Sequence, residues 1–339
     1  MEARSQETSP FAPPQATLGG GWGGVMTAAS SAVRARLRSP GEGRFSLPHR
    51  LVRAILLAAL AAGCRPAPSS AGARRIVDDA GDTVAVPRVA YRVVSLIPAT
   101  TEILFAIGAD SALVGRTHWC DYPAAAARIP DLGDGIQPNL EAVVAARPDL
   151  VVLYRSGQNA SAAARLRAYG IPAIQVRSDA LADVPRLARL LGTLTGHEHA
   201  ADSLRDAFDR EVAAATVTSA PDPPRVFILV WDEPPMTVGA GSYLSELLAR
   251  AGARNVFADL PASSGQISVE AAAARDPEFV FTSNPALPAF AARPEWQAVR
   301  AVRERRFIHG PGSEFSRPSP RAQAAIRQLT AQLSAAVGR

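Results

Sequence analysis

Five aromatic residues, Trp119, Tyr122, Tyr154, Trp231 and Phe315, fall in segments that close predicted strands. In a chain that is only 6% aromatic, this placement offers flat apolar faces that can hold a broad ligand by stacking. Each also has a plainer reading, as a pin that fixes its loop to the body. Arg317 follows the turn Gly310-Pro311-Gly312. Its guanidinium suits the amides or phosphate of a ligand, or an ion pair between parts of the body. Glu141 and Glu270 open Ala-rich helical stretches, where a carboxylate complements the helix dipole. As a pair they also make two equivalent docking points for a partner bearing arginines. His118 and Cys120 flank Trp119, but His-x-Cys without a second cluster reads as a buried free thiol beside a loop histidine, not as a metal site. The chain contains no lysine, hence no phosphate loop, and it lacks Gly-x-Ser-x-Gly and His-Glu-x-x-His. These residues point to non-covalent capture, with no catalytic residue, metal ligand or cofactor. An enzyme would have to use a cleft acid such as Asp121 or Asp232.

Strands and helices alternate in the order expected of mainly parallel sheets. Open sheets of this kind bind ligands beyond the carboxyl ends of their strands. That places the candidates at Pro98-Ala99, Trp119 to Tyr122 and Tyr154-Arg155 in a first half, and at Trp231 to Met236 and Ser313 to Arg317 in a second. The helix after the first strand is expected to be capped by Thr100 or Thr101. Two patterns recur in the same order. Thr101-Glu102-Ile103-Leu104 through Gly108-Ala109 is echoed 144 residues later by Ser245-Glu246-Leu247-Leu248 through Gly252-Ala253. Glu141, an Ala-rich stretch, Pro148 and an apolar run are echoed 129 residues later from Glu270 through Pro277. The fold expected is therefore α/β: two similar lobes with mainly parallel sheets, residues 76–180 and 221–339, with a site between them. Residues 181–220 show no strand pattern and read as a stiff helical connector. In it, one helix from Leu181 to Thr195 and another from His199 to Ala215 are separated by a permitted break at Gly196.

The 339 residues carry a formal charge of +5, yet residues 1–75 hold ten Arg and three acids, so the remainder sums to −2. The basic excess belongs to the leader, and nucleic-acid binding loses its support. Arg44, Arg50 and Arg53 precede the apolar run Ala54 to Ala62, followed by Gly63-Cys64. Residues 44–64 read as an export signal, too short in its apolar part for a spanning helix. Residues 1–43 are expected to be a disordered or mispredicted extension, and residues 65–75 a flexible tether.

The stretches Val94-Ser95-Leu96-Ile97-Pro98-Ala99-Thr100-Thr101-Glu102, Thr117-His118-Trp119-Cys120-Asp121-Tyr122-Pro123, Pro138-Asn139-Leu140-Glu141 and Arg147-Pro148-Asp149-Leu150-Val151 together resemble the cobalamin-binding proteins of bacterial ABC importers. That family lies within a wider class of binding proteins for iron–siderophores and haem. The small-small-Cys ending at Cys64 likewise resembles a bacterial lipobox, with Ala61 where Leu is usual. The resemblance covers about residues 76–335. It implies two α/β lobes joined by a long rigid helix, with a corrinoid held in the cleft and delivered to an ABC permease and its ATPase. Trp119 and Tyr154 match corrin-contacting aromatics, Pro98 and Ala99 a loop near the ligand, Met236 a neighbour of a second-lobe aromatic, and Arg317 an arginine facing the ligand. Glu141 and Glu270 match the carboxylates that dock on the permease. Cys64 matches the lipidated first residue of a membrane-anchored, periplasmic, monomeric receptor. Three family contacts are absent, at Gly133 to Ile136, at Ser263-Ser264-Gly265 and at Ser313; Trp231 offers a compensating aromatic. A siderophore or haem receptor of the same fold is the nearest alternative, and a cell-envelope enzyme or sensor the alternative of another class.

Overall fold

The computed structural model describes residues 73–218, 220–283 and 288–338. The export signal, Cys64 and most of the tether lie outside the described residues. A hairpin of β1 (Ala73–Val77) and β2 (Thr83–Pro87) begins the body. The first lobe is a parallel sheet of β3 (Val93–Ser95), β4 (Leu113–Arg116), β5 (Leu150–Tyr154) and β6 (Ala173–Val176), in the order β4-β3-β5-β6. The second contains β7 (Arg225–Ile228), β10 (Arg254–Asn255), β12 (Phe279–Thr282) and β13 (Phe307–His309), all parallel, in the order β10-β7-β12-β13. Counted along the chain, both sheets run second, first, third, fourth strand. The repeat read in the sequence is thus a repeat of topology.

The echoes persist at the level of single residues. Helix α1 (Pro98–Ala106) follows β3, and α6 (Tyr243–Arg250) occupies the corresponding place in lobe two. Helices α2 (Leu140–Ala145) and α7 (Val269–Ala274) precede the third strands. Asn139 caps α2 by accepting from the Ala142 amide, and Ser268 caps α7 by accepting from Ala271, both at 3.1 Å. Arg147 and Asp276, each just before the repeated proline, both have positive φ, 48° and 42°. Matching strain at matched positions is hard to reconcile with a chance resemblance in an Ala-rich chain.

Strand burial explains the layers. Leu150 to Leu153 and Phe279 to Thr282 are buried runs, as expected where helices cover both faces of a parallel sheet. Successive residues serve opposite faces. Val93 and Val152 pack with Ile103, Leu187 and Leu191, while Val94, Val151 and Leu153 pack with Ala163 and Leu166 of α3 (Gly157–Ala168). In lobe two, Val226 and Ile228 meet Leu247 and Ile326, and Phe227 and Val280 meet Phe257 and Trp296.

The connector is α4 (Asp183–Thr195) and α5 (Glu198–Ala215). Gly196 closes α4 at φ +74°, a left-handed conformation that glycine adopts without penalty. Helix α4 packs on α1 of lobe one, and α5 on α10 (Ala322–Val337) of lobe two. The expected cap of α1 by Thr100 or Thr101 is not found. Pro98 takes the first helical position and Ile97 the cap, so both threonines are buried in the first turn, where their hydroxyls bond the Ile97 carbonyl.

Candidate ligand-binding site

In lobe one, three loops converge beyond the carboxyl ends of β3, β4 and β5. Trp119 and Tyr122 follow β4 and are 40% and 42% exposed. Tyr154 ends β5, is 37% exposed, and donates its hydroxyl to Asp179 Oδ1 at 2.7 Å. Burial first, and the Asp179 hydrogen bond next, push this phenol up to about 12. His118 lies against Trp119, ring centroids 4.6 Å apart. Ile136 is 60% exposed in the loop that the resemblance marks as lacking a tryptophan. Gly135 beside it is obligatory, because a Cβ there would lie 2.2 Å from the Leu96 carbonyl oxygen. Cys120 is buried, and its sulfur meets the hydroxyls of Thr101 and Thr117. Among the described residues, no group of three or more His, Cys, Asp or Glu side chains could hold a metal ion.

Lobe two contributes a small antiparallel sheet that the sequence reading missed, built from β8 (Trp231–Asp232), β9 (Pro235–Val238) and β11 (Ser264–Gln266). Its strands are only two to four residues long, too short to show a period. Trp231 and Met236 are cross-strand partners, and Gln266 pairs with Met236 on the other side. Two expected site residues therefore share one face of one ribbon. Trp231 donates its indole N–H to the Glu233 carbonyl at 2.7 Å. Asp232 is paired with Arg293, and Asp121 with Arg317, so both acids of the enzyme alternative are held by arginines.

Two expected ligand contacts are buried instead. Phe315 is 2% exposed and its ring packs on Phe281 at 6.0 Å, so it pins its loop to the lobe-two core. Ala99 is 1% exposed within the lobe-one core, and Pro98 beside it is half-buried. Arg317 forms the ion pair between parts of the body. Its Nε donates to Glu102 Oε1 at 2.8 Å and its Nη1 to the Trp119 carbonyl at 3.3 Å, while Nη2 holds Asp121. Glu141 and Glu270 are exposed in the first turns of α2 and α7. The backbone and the Ser268 hydroxyl hold the Glu270 carboxyl below its ordinary value.

The arrangement is two sheets of one topology, and among the described residues their carboxyl ends carry the aromatic side chains Trp119, Tyr122, Tyr154 and Trp231. A family model described as periplasmic binding protein matches residues 93–314. The chain belongs to that family. Among relatives of this periplasmic binding protein, the vitamin B12-binding protein of Salmonella typhi is 31% identical over 246 residues, covering 72% of this chain and 91% of the relative. That of Pectobacterium carotovorum is 29% identical over 247 residues, covering 72% and 88%. The periplasmic vitamin B12 binding protein BtuF of Vibrio cholerae aligns at a TM-score of 0.63 and 25% identity, covering 74% of this chain and 99% of that one. The periplasmic haem-binding protein BhuT, in complex with two haems, aligns at 0.64 and 25%, covering 73% and 98%. No described helix is long and apolar enough to cross a membrane.

Residues central to the interlobe contact, Glu102, Ser319 and Arg321, were not singled out from sequence. The one available signal was the echo of Thr101-Glu102 in Ser245-Glu246, which reads equally well as two unremarked helix positions.

Proposed function

We propose that this periplasmic binding protein captures a corrinoid, cobalamin, in the cleft between its lobes and delivers it to an ABC permease and its ATPase. The observation that carries the reading is the exposed wall of Trp119, Tyr122 and Tyr154 at the carboxyl end of the lobe-one sheet. An extended macrocycle buries much apolar area against such a wall. The relatives named for vitamin B12 support this ligand over others of the class. On this reading residues 76–180 and 221–339 are the lobes and 181–220 the connector. Glu141 and Glu270 dock on the permease, and Cys64 carries the lipid that anchors a monomer in the periplasm. Trp231 and Met236 form the facing wall. The protein performs no chemistry on its ligand and needs no cofactor.

The test is calorimetric titration with cyanocobalamin, with haem and a ferric siderophore as controls. Saturable binding of cyanocobalamin alone is expected, weakened by Trp119→Ala about tenfold or more, the usual cost of truncating a buried aromatic anchor. A folded protein that ignores cyanocobalamin would end the corrinoid reading. One observation favours haem as the second reading: the exposed imidazole of His118 lies against Trp119 and is available to an iron. Haem binding whose Soret band shifts in His118→Ala would favour that ligand.

A further inference from the structure

Glu102 is 3% exposed, in α1 of lobe one. Among the described residues, every side chain that donates to its carboxylate belongs to lobe two. Oε1 accepts from Arg317 Nε at 2.8 Å and Arg321 Nη2 at 3.0 Å; Oε2 accepts from the Ser319 hydroxyl at 2.7 Å and Arg321 Nε at 3.2 Å. The same arginines reach the aromatic wall. Arg317 holds the Trp119 carbonyl and Asp121, and the Arg321 guanidinium carbon lies 3.7 Å from the centre of the Tyr122 ring. Burial, and next the negative charge of Glu102, push the neighbouring Tyr243 phenol well above its ordinary range.

The equivalent glutamate of lobe two behaves alike. Glu246, 144 residues on, accepts the Leu181 amide at 2.7 Å, and the Tyr243 amide donates to the Asp179 carbonyl at 2.8 Å. Both copies of the repeated pair therefore face across the lobe boundary or onto the start of the connector.

We propose that Glu102, Arg317 and Arg321 form an interlobe strut that sets the pose of the Trp119–Tyr122 wall, so that lobe two determines the shape of a ligand surface carried by lobe one. A buried carboxylate cannot lose its donors without replacement, which fixes the two guanidinium groups in place. The fixed guanidinium of Arg317 then holds an exposed carbonyl and an exposed carboxylate that solvent would otherwise satisfy. Only a planar fork with separate donors reaches three such acceptors at once, so lysine cannot replace Arg317 here. These are positioning residues, and none need touch the ligand. The strut stands on geometry alone; its effect on affinity rests on the corrinoid reading.

The test is amide hydrogen exchange on the full-length protein without ligand, comparing wild type, Glu102→Gln and Arg317→Lys. The amides of Cys120 and Asp121 donate to the carbonyls of Thr117 and Trp119, both at 3.0 Å, and serve as the reporters. Both variants should exchange there about tenfold faster or more, while β5 amides keep their wild-type rates. Unchanged exchange at Cys120 and Asp121 overturns the strut, as does equal acceleration in β5, which marks general destabilisation. If Glu102→Gln does not fold, Arg317→Lys decides alone. In a second arm, Arg317→Lys should bind cyanocobalamin about tenfold more weakly. Unchanged affinity overturns the role in ligand recognition. Accelerated exchange with no cyanocobalamin binding by wild type overturns the corrinoid reading and leaves the strut in place.

Discussion

Tyr154 and Glu102 show how far a single side chain can be bound to its surroundings. The Tyr154 phenol ionises at 10.0 when unperturbed and at about 12 in the folded protein. Between those values the folded state holds the proton that the unfolded chain has lost, so stability falls as pH rises through that window and is unaffected below it. Tyr154→Phe should flatten the decline in urea midpoint between pH 10 and 12 and remove the tyrosinate absorbance step at about 12. Glu102 carries a different liability. Glu102→Ala leaves Arg317 and Arg321 facing a partly buried gap, and breaking a buried pair from one side costs about 3–5 kcal/mol. Urea unfolding of the variant against wild type measures that loss.

At the scale of elements, caps and close approaches place the candidate docking carboxylates. Ser268 caps α7 and also bonds Glu270, holding its carboxyl below the ordinary value. Ser268→Ala should cost about 1 kcal/mol and let the Glu270 carboxyl titrate higher, as read by NMR titration. The loop leading to Asn139 depends on Gly135, so Gly135→Ala must displace backbone and should cost about 1–3 kcal/mol in denaturant unfolding. The connector starts on a buried acid. Burial pushes Asp183 up, but the amides of Asp179 and Ala180 and the Arg186 guanidinium outweigh it and hold the carboxyl below its ordinary 3.8. Its contribution is present above 3.8 and lost as pH falls through the lower folded value, so Asp183→Asn should reduce the acid sensitivity below pH 4.

The whole molecule repeats one topology twice, which gives each lobe a carboxylate at an equivalent place. If Glu141 and Glu270 dock as proposed, Glu141→Ala and Glu270→Ala should each lower permease-coupled uptake and leave cyanocobalamin affinity unchanged. The double variant should be worse than either. Loss of affinity in these variants would place the carboxylates in the cleft instead. The topological repeat also explains why the candidate site was legible by position. Trp119, Tyr154, Trp231 and Met236 could be nominated because strand ends can be read from apolar runs, and open sheets of this kind bind ligands beyond their strand ends.

Local sequence by itself determined the two parallel sheets, the helical connector with its break at Gly196, and the paired Ala-rich helices that Glu141 and Glu270 open. The helical features rest on interactions within a few residues, a left-handed glycine and a cap three residues from its amide, while the sheets are legible through buried apolar runs whose strands pair far apart in sequence. It also determined the family, through motifs that are each a short continuous stretch of chain. Tertiary structure alone decided which candidates face solvent and which face the core. Phe315 and Ala99 follow strand ends in the right place but sit on helical turns that face inward, because packing partners such as Phe281 come from strands distant in sequence. It decided Arg317 as well. The guanidinium had two readings in the sequence, and the choice between them lay with Glu102, 215 residues earlier, whose burial becomes apparent only once the lobes are brought together.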